Sequence, residues 1–247
     1  MQIIPAFVTQ NKCYQAGAPL TPRGIMLHSV GTPQPSAAVF ARSFNQYQPG
    51  GVSVCVHAFA QADGTVYQTL PWEMRGWHCG GSANSTHIGV EMTEPSAGMT
   101  RSEAAEQIAG TYRTVVELFA ELCKQYELDP AQDGVIIGHA EGHRRGVASN
   151  HADPELLWRT YDMGYTMDGF RRDVAEAMKN GAREEALDMP RYDSVAEMPQ
   201  WARAGVQRLI GRGVLSGVGN GKLDLSLDMI RTMIVCQRMM DAAGGGK

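Results

Sequence analysis

The feature that most constrains the fold is one long amphipathic helix in the middle of the chain. Thr100-Arg101-Ser102-Glu103 has the spacing of a capping box, in which the threonine hydroxyl and the glutamate carboxylate each satisfy a backbone N–H of the first turn. Behind it Ile108, Tyr112, Val115, Phe119, Leu122 and Tyr126 recur at three or four residues, so one face is apolar along its whole length. Such a stripe needs an apolar surface of matching size to cover. The flanking segments supply it as short strands: 24–30 (Gly-Ile-Met-Leu-His-Ser-Val), 53–60 and 64–70 around the hairpin signal Asp63-Gly64, 86–92, and a strand from Asp133-Gly134 through Gly138. A helix is expected from Ala37 to about Tyr47, closed by Pro49-Gly50-Gly51, and another from Asp153-Pro154 to about Met178. Strands and helices mixed in this order predict an α/β fold, a central mixed β-sheet flanked by helices.

The periodicity lapses after Asn180-Gly181, and helical signals resume after Ser194, where Ser194 and Glu197 have capping-box spacing before Pro199. The expected organisation is a catalytic domain over 1–180, a linker over 181–192 and a small helical C-terminal module over 193–247. In that module Val206, Leu209 and Ile210 mark one helix, and Ser226 is placed to cap a second that carries Leu227, Ile230, Met233, Ile234 and Met240.

Composition narrows the function. A formal net charge of -4, with no clustered Lys and Arg, argues against nucleic acid as a partner. The five cysteines are scattered, odd in number and never spaced Cys-x-x-Cys, so no disulfide framework is expected. Neither a basic leader with an apolar run nor a segment of transmembrane length is present, and the expectation is a protein made in a cytoplasm without an export address.

The chemistry concentrates in the histidines. Zinc catalysis on an amide needs three protein ligands and an open fourth position, and neutral histidine with a carboxylate suits it. His28 ends a strand, and His139, His143 and His151 crowd the run from Gly138 to Pro154 just after another strand. Asp153 before Pro154 reads equally as a helix N-cap, and one carboxylate can do both. Glu91 inside an apolar strand is costly to bury without purpose. His139 and His143 are spaced i, i+4, but Gly138 and Gly142 weaken a helix there and the glutamate is misplaced for a His-Glu-x-x-His site.

His28 on its strand, Trp77-His78 after the hairpin, Ile88-Gly89-Val90-Glu91, and Gly138-His139 followed by Asp153-Pro154 resemble the type 2 N-acetylmuramoyl-L-alanine amidases, relatives of peptidoglycan recognition proteins. The run from Glu141 to His151 further resembles the amidases of endolysins and cell-wall hydrolases. The similarity spans roughly residues 1–180. It implies zinc held by His28, His139 and Asp153, Glu91 as the catalytic glutamate, His151 as its catalytic partner, and peptidoglycan as substrate, cut between N-acetylmuramic acid and L-alanine. His78 and His57 would face substrate, although a strand histidine also packs well as a hydrogen-bonded core residue. Some relatives carry a tyrosine before the His57 position where this chain has Val56, which leaves its task to Glu91 and His151. Cys79 reads as a small packed residue. The C-terminal module resembles short pieces attached to such amidases, which implies wall binding or a homo-oligomer. A non-catalytic muropeptide binder and a cytosolic amidase recycling wall fragments are the competing readings; an endolysin reaching the wall through a membrane pore is the leading one.

Overall fold

The computed structural model describes residues 1–46, 54–188 and 191–244; the Pro49-Gly50-Gly51 stop and Pro190 lie outside them. The chain divides into two compact units, Met1–Asn180 and Gly181–Lys247. No helix among the described residues is long and apolar enough to cross a membrane.

The first unit is built on six strands: β1 (Gln2–Pro5), β2 (Gly24–Ser29), β3 (Ala58–Ala60), β4 (Thr65–Gln68), β5 (His87–Met92) and β6 (Ile136–Gly138). Their order across the sheet is β1-β4-β3-β5-β2-β6. Only β3 and β4 run antiparallel, joined by the Asp63-Gly64 turn, where Gly64 takes φ +87° and the Asp63 carboxylate accepts the Thr65 N–H at 3.0 Å. Every other pairing is parallel, so the sheet is mixed. The edge strand β1 and a short helix α1 (Lys12–Ala16) were not foreseen, because two isoleucines before Pro5 make too short a pattern to read as a strand.

Alternation along the strands assigns the two faces. Ile25, Leu27, Ile88, Val90 and Met92 meet Ile108, Tyr112, Val115, Leu118 and Phe119 of α3 (Arg101–Gln125), together with Trp158, Phe170 and Val174. The capping box of α3 is closed in both directions, Glu103 N–H to Thr100 Oγ1 at 3.3 Å and Thr100 N–H to Glu103 Oε2 at 2.8 Å. On the opposite face α2 (Ala37–Phe44) stacks Phe40 on Phe59. Met26 and Ile137 pack there too, against Cys79, Ala83, Val147 and Ala148.

Three elements follow β6: α4 (His139–Arg144), α5 (Glu155–Thr160) and α6 (Met167–Asp188). The single helix expected over 153–178 is two, parted where Asp162 and Gly164 take φ +52° and +69°. Nor does α6 stop at the expected linker; it runs through Gly181 to Asp188, since one glycine costs about 1 kcal/mol and the Arg183-Glu184-Glu185-Ala186-Leu187 run favours helix.

The second unit pairs β7 (Arg191–Tyr192) with β8 (Leu225–Ser226) and holds α7 (Gln200–Gly211) and α8 (Leu227–Gly244). Met198, Ala202, Val206, Leu225, Ile230 and Ile234 form a core of its own. Ser226 caps α8 as its sequence position suggests, its hydroxyl accepting the Met229 N–H at 3.3 Å.

Candidate active site

Parallel pairing brings the site together at the carboxyl ends of the strands, where open α/β sheets place their ligands. Leu27 pairs with Gly138, so the next residues, His28 and His139, emerge side by side; His28 itself pairs with Glu91. By alternation all three leave the sheet on the face opposite α3. The fourth group comes from the loop after α4: the Ala140 N–H donates to the Asp153 carbonyl at 3.1 Å and the Ser29 N–H to the Asp153 Oδ2 at 3.3 Å. Asp153 therefore does not cap α5. Its carboxylate turns to the histidines instead.

His28 Nδ1 lies 3.0 Å from His139 Nδ1 and 3.3 Å from Asp153 Oδ2, and His139 Nδ1 lies 3.5 Å from Asp153 Oδ1. Four-coordinate zinc with ligands at about 2.0–2.1 Å sets neighbouring donors about 3.3 Å apart, so the two imidazoles and the carboxylate approach one another at the spacing of such a site. Their chemistry, two imidazoles and a carboxylate, is that of a catalytic zinc site with one position open. Both histidines are buried, at 1% and 4% exposure. Burial pushes the His28 pKa down, keeping the neutral ligand form, despite the opposing pull of Asp153. Burial pushes the Asp153 carboxyl up, but the adjacent imidazoles of His139 and His28 outweigh it and hold it well below the usual carboxylate range.

A chain of hydrogen bonds orients His28 from behind. The His87 carbonyl can only accept, so at 3.1 Å it receives a hydrogen bond from His78 Nε2–H. His78 Nδ1 is then an acceptor and receives the His28 Nε2–H at 2.9 Å. This leaves the His28 Nδ1 lone pair facing His139 and Asp153, as a metal ligand requires. The assignment follows from the network. His78 lines the cleft but is committed to His28, and burial pushes its pKa well down.

His57 is fully buried and does not line the cleft; its Nδ1 accepts the Gly89 N–H at 2.9 Å and its Nε2 donates to the Met74 carbonyl at 2.7 Å, so both ring nitrogens brace backbone. His143 shares α4 with His139, so that helix does form, but the side chain is exposed and is not among the converging donors of His28, His139 and Asp153. Gly142 fits the helix because a Cβ there would come within 2.9 Å of Met26 Cε.

Glu91 lies in the same cleft, a cavity of about 810 Å³ also lined by Trp77, Ser149, His151 and Tyr161. Its Oε2 is buried without a hydrogen-bond partner. Burial, then the charges of Asp153 and Glu94, push its pKa well above the ordinary value. His151 is exposed at the rim, its ring centroid 4.4 Å from that of His139. Ser149, which no spacing rule singles out, bridges them: its hydroxyl is 3.3 Å from His139 Nε2 and 3.1 Å from His151 Nδ1. Also unforeseen is the support under α4. Arg171 of α6 makes a two-pronged pair with Glu141 at 2.9 and 3.1 Å, and Glu141 accepts the Gly138 N–H at the helix start.

Solved structures share this fold. The chain superposes on a hydrolase from Staphylococcus aureus, AmiA in complex with its ligand, with a TM-score of 0.59 at 21% identity, over 74% of this chain and 86% of the other. The catalytic domain of XlyA matches with a TM-score of 0.52 at 22% identity, over 70% and 99%. A mutant endolysin from Bacillus subtilis does so with a TM-score of 0.52 at 21% identity, over 70% and 99%. No curated protein sequence matches the chain. The model of the N-acetylmuramoyl-L-alanine amidase family matches residues 18–156, a stretch that takes in His28, Glu91, His139, His151 and Asp153. With more than half of its length matched in this way, the chain belongs to the N-acetylmuramoyl-L-alanine amidase family, hydrolases of an amide bond in peptidoglycan.

Proposed function

We propose that the chain cleaves the amide between N-acetylmuramic acid and the first L-alanine in a zinc-dependent reaction, and that it does so on intact bacterial wall as a bacteriolytic endolysin. The observation that carries the reading is the convergence of donor atoms from His28, His139 and Asp153 within 4.8 Å, in a cleft that also holds the unpartnered Glu91. Zinc held by those three residues supplies a Lewis acid for the scissile carbonyl and for the attacking water.

Glu91 accepts the water's proton and returns it to the departing alanine nitrogen. In the bound state His139 Nε2–H donates to Ser149, and the Ser149 hydroxyl donates to His151 Nδ1. That leaves His151 Nε2–H as a donor to the carbonyl oxygen as negative charge builds on it, a contribution of about 3 kcal/mol in comparable sites. The fold shared with an endolysin and the second compact unit after residue 180 support the intact wall as substrate.

Metal content and turnover, measured together, test the proposal. His28→Ala and His139→Ala should lose nearly all zinc. Glu91→Gln should keep zinc and fold while turnover on purified wall drops about 10²–10⁴-fold, because an amide of the same shape cannot accept the proton. Full zinc in both histidine variants would sink the ligand set, and near-normal turnover of Glu91→Gln would make that residue structural.

A further inference from the structure

Two cysteines separated by some forty positions in the sequence meet in the fold, away from the candidate site. Cys13 lies on α1 and Cys55 precedes β3; they are 1% and 0% exposed and share a cluster with Val8 and Leu70. Within that cluster each thiol is the largest influence on the titration of the other, pushing Cys13 down and Cys55 up.

The backbone around them holds the thiols in place from three sides. Asn11 accepts the Cys13 N–H at 2.9 Å, and the amide of the same side chain donates to the Val54 carbonyl at 3.2 Å and the Phe44 carbonyl at 3.1 Å. One side chain thus fastens the residue beside Cys55 to Cys13 itself. Cys55 pairs its backbone with Trp77 in both directions, at 3.1 and 2.9 Å, and the Cys13 thiol donates to the Arg75 carbonyl at 3.3 Å, two residues earlier. The backbones that carry the two cysteines are thus fixed beside one another.

We propose that Cys13 and Cys55 form a reversible intramolecular disulfide that ties the segment ahead of β2 to the cleft wall made by Val54 and Val56. The co-reactant is a small-molecule disulfide such as oxidised glutathione. The Cys13 thiolate attacks one of its sulfurs, forming a mixed disulfide and expelling one thiol. Cys55, giving up its proton, then attacks the Cys13 sulfur and expels the second thiol. Two protein thiols lose two electrons, which reduce the S–S bond of the co-reactant, and the two protons leave with its two thiols. Cys13 attacks first: its neighbour Cys55 holds its pKa down against burial, whereas Cys55 is itself pushed up. It is also carried by a five-residue helix whose Lys12 and Gln15 are exposed, so opening that helix admits the reagent.

Full-length protein is incubated with oxidised glutathione, remaining thiols are alkylated, and the unreduced digest is mapped by mass spectrometry. The exposed Cys236 of α8 serves as the internal control for complete reaction. The expected product is a peptide pair joined through Cys13 and Cys55 that disappears on adding dithiothreitol. Oxidation should raise Tm by roughly 5–10 °C in the wild type, by closing a long loop, and by nothing in Cys13→Ser or Cys55→Ala, each compared with its own reduced form. Recovery of Cys13 and Cys55 as two alkylated thiols, or joined to other cysteines, once Cys236 is fully modified, would overturn the proposal. The wild-type map decides the matter even if a variant does not fold.

Discussion

His78 shows how a single residue can be conspicuous in a sequence that does not reveal what its ring is bonded to. Its neighbour Trp77 and its place after the hairpin suggest a cleft residue, which it is, but they say nothing of where its two ring nitrogens are spent. Both serve the chain from the His87 carbonyl to His28. Removing the ring at His78→Ala should therefore weaken zinc binding by about 10–100-fold while leaving one site per chain, the usual cost of losing the partner behind a metal histidine. Competition titration with a chelator reads this directly; an unchanged affinity would mean that His28 is oriented without His78. The residues of the ligand group were legible because histidine, aspartate and glutamate in apolar strands or after them have few bland explanations. Ser149 and Arg171 were not, since a loop serine and a helix arginine carry no signal until the fold places them against His139, His151 and Glu141.

At the scale of elements, the site depends on how closely β5 lies against the ring of His78. A Cβ on Gly89 would come within 2.4 Å of His78 Cγ, closer than any side chain tolerates, so glycine is the residue that lets β5 pass. Gly89→Ala should push His78 away and, through it, misalign His28, with a stability loss of about 1–3 kcal/mol from overpacking and a zinc affinity reduced in the same sense as in His78→Ala. Chemical denaturation and metal titration of the variant give both numbers, and a variant with wild-type values in each would show that β5 yields without consequence. The long helix α3 was readable to within one residue at each end because its cap and its stripe agree. The interrupted α5 and α6 were not, because Tyr161 and Met163 keep an apolar rhythm across a turn that only the left-handed Asp162 and Gly164 reveal.

For the molecule as a whole, two expectations follow from burial and from the division into units. Burial holds His57 at a pKa of about 4, below its unfolded value of about 6.5, so the unfolded chain binds its proton first as pH falls. That contribution to stability, about 3 kcal/mol, is complete above pH 6.5 and drains away between there and pH 4, with the buried His28, His78 and His87 acting in the same direction. The raised Glu91 carboxyl acts in the opposite direction, so the test uses metal-stripped Glu91→Gln protein, whose urea midpoint should fall from pH 8 to pH 5; a midpoint that holds or rises contradicts it. The second expectation concerns the unit after residue 180, with its separate core. A chain ending at residue 188, where α6 stops, should cleave soluble muramyl peptides normally and lyse intact walls more slowly, because a remote module raises local concentration at an insoluble surface without altering the chemical step. Equal losses on both substrates would instead assign the unit to folding or assembly of the enzyme. Its helices were legible in Ser194, Pro199 and Ser226, but its role was not, because six buried apolar residues mark a core and name no partner.

The in-register pairing of His28 with Glu91 makes the distance between the proposed ligand and the proposed base a property of two backbones, whose strands lie about 4.8 Å apart, more than of either side chain. The sheet thereby works as a ruler with one graduation per residue. A one-residue insertion inside β2 or β5 would not lengthen the site; it would turn His28 or Glu91 to the side of α3 and bring an aliphatic neighbour into the cleft. Insertions before β2, after β5 or between the strands leave the graduation unread. In a randomised or recombined library of this domain, length should therefore vary freely in the loops around the cleft and hardly at all across the six residues of either strand.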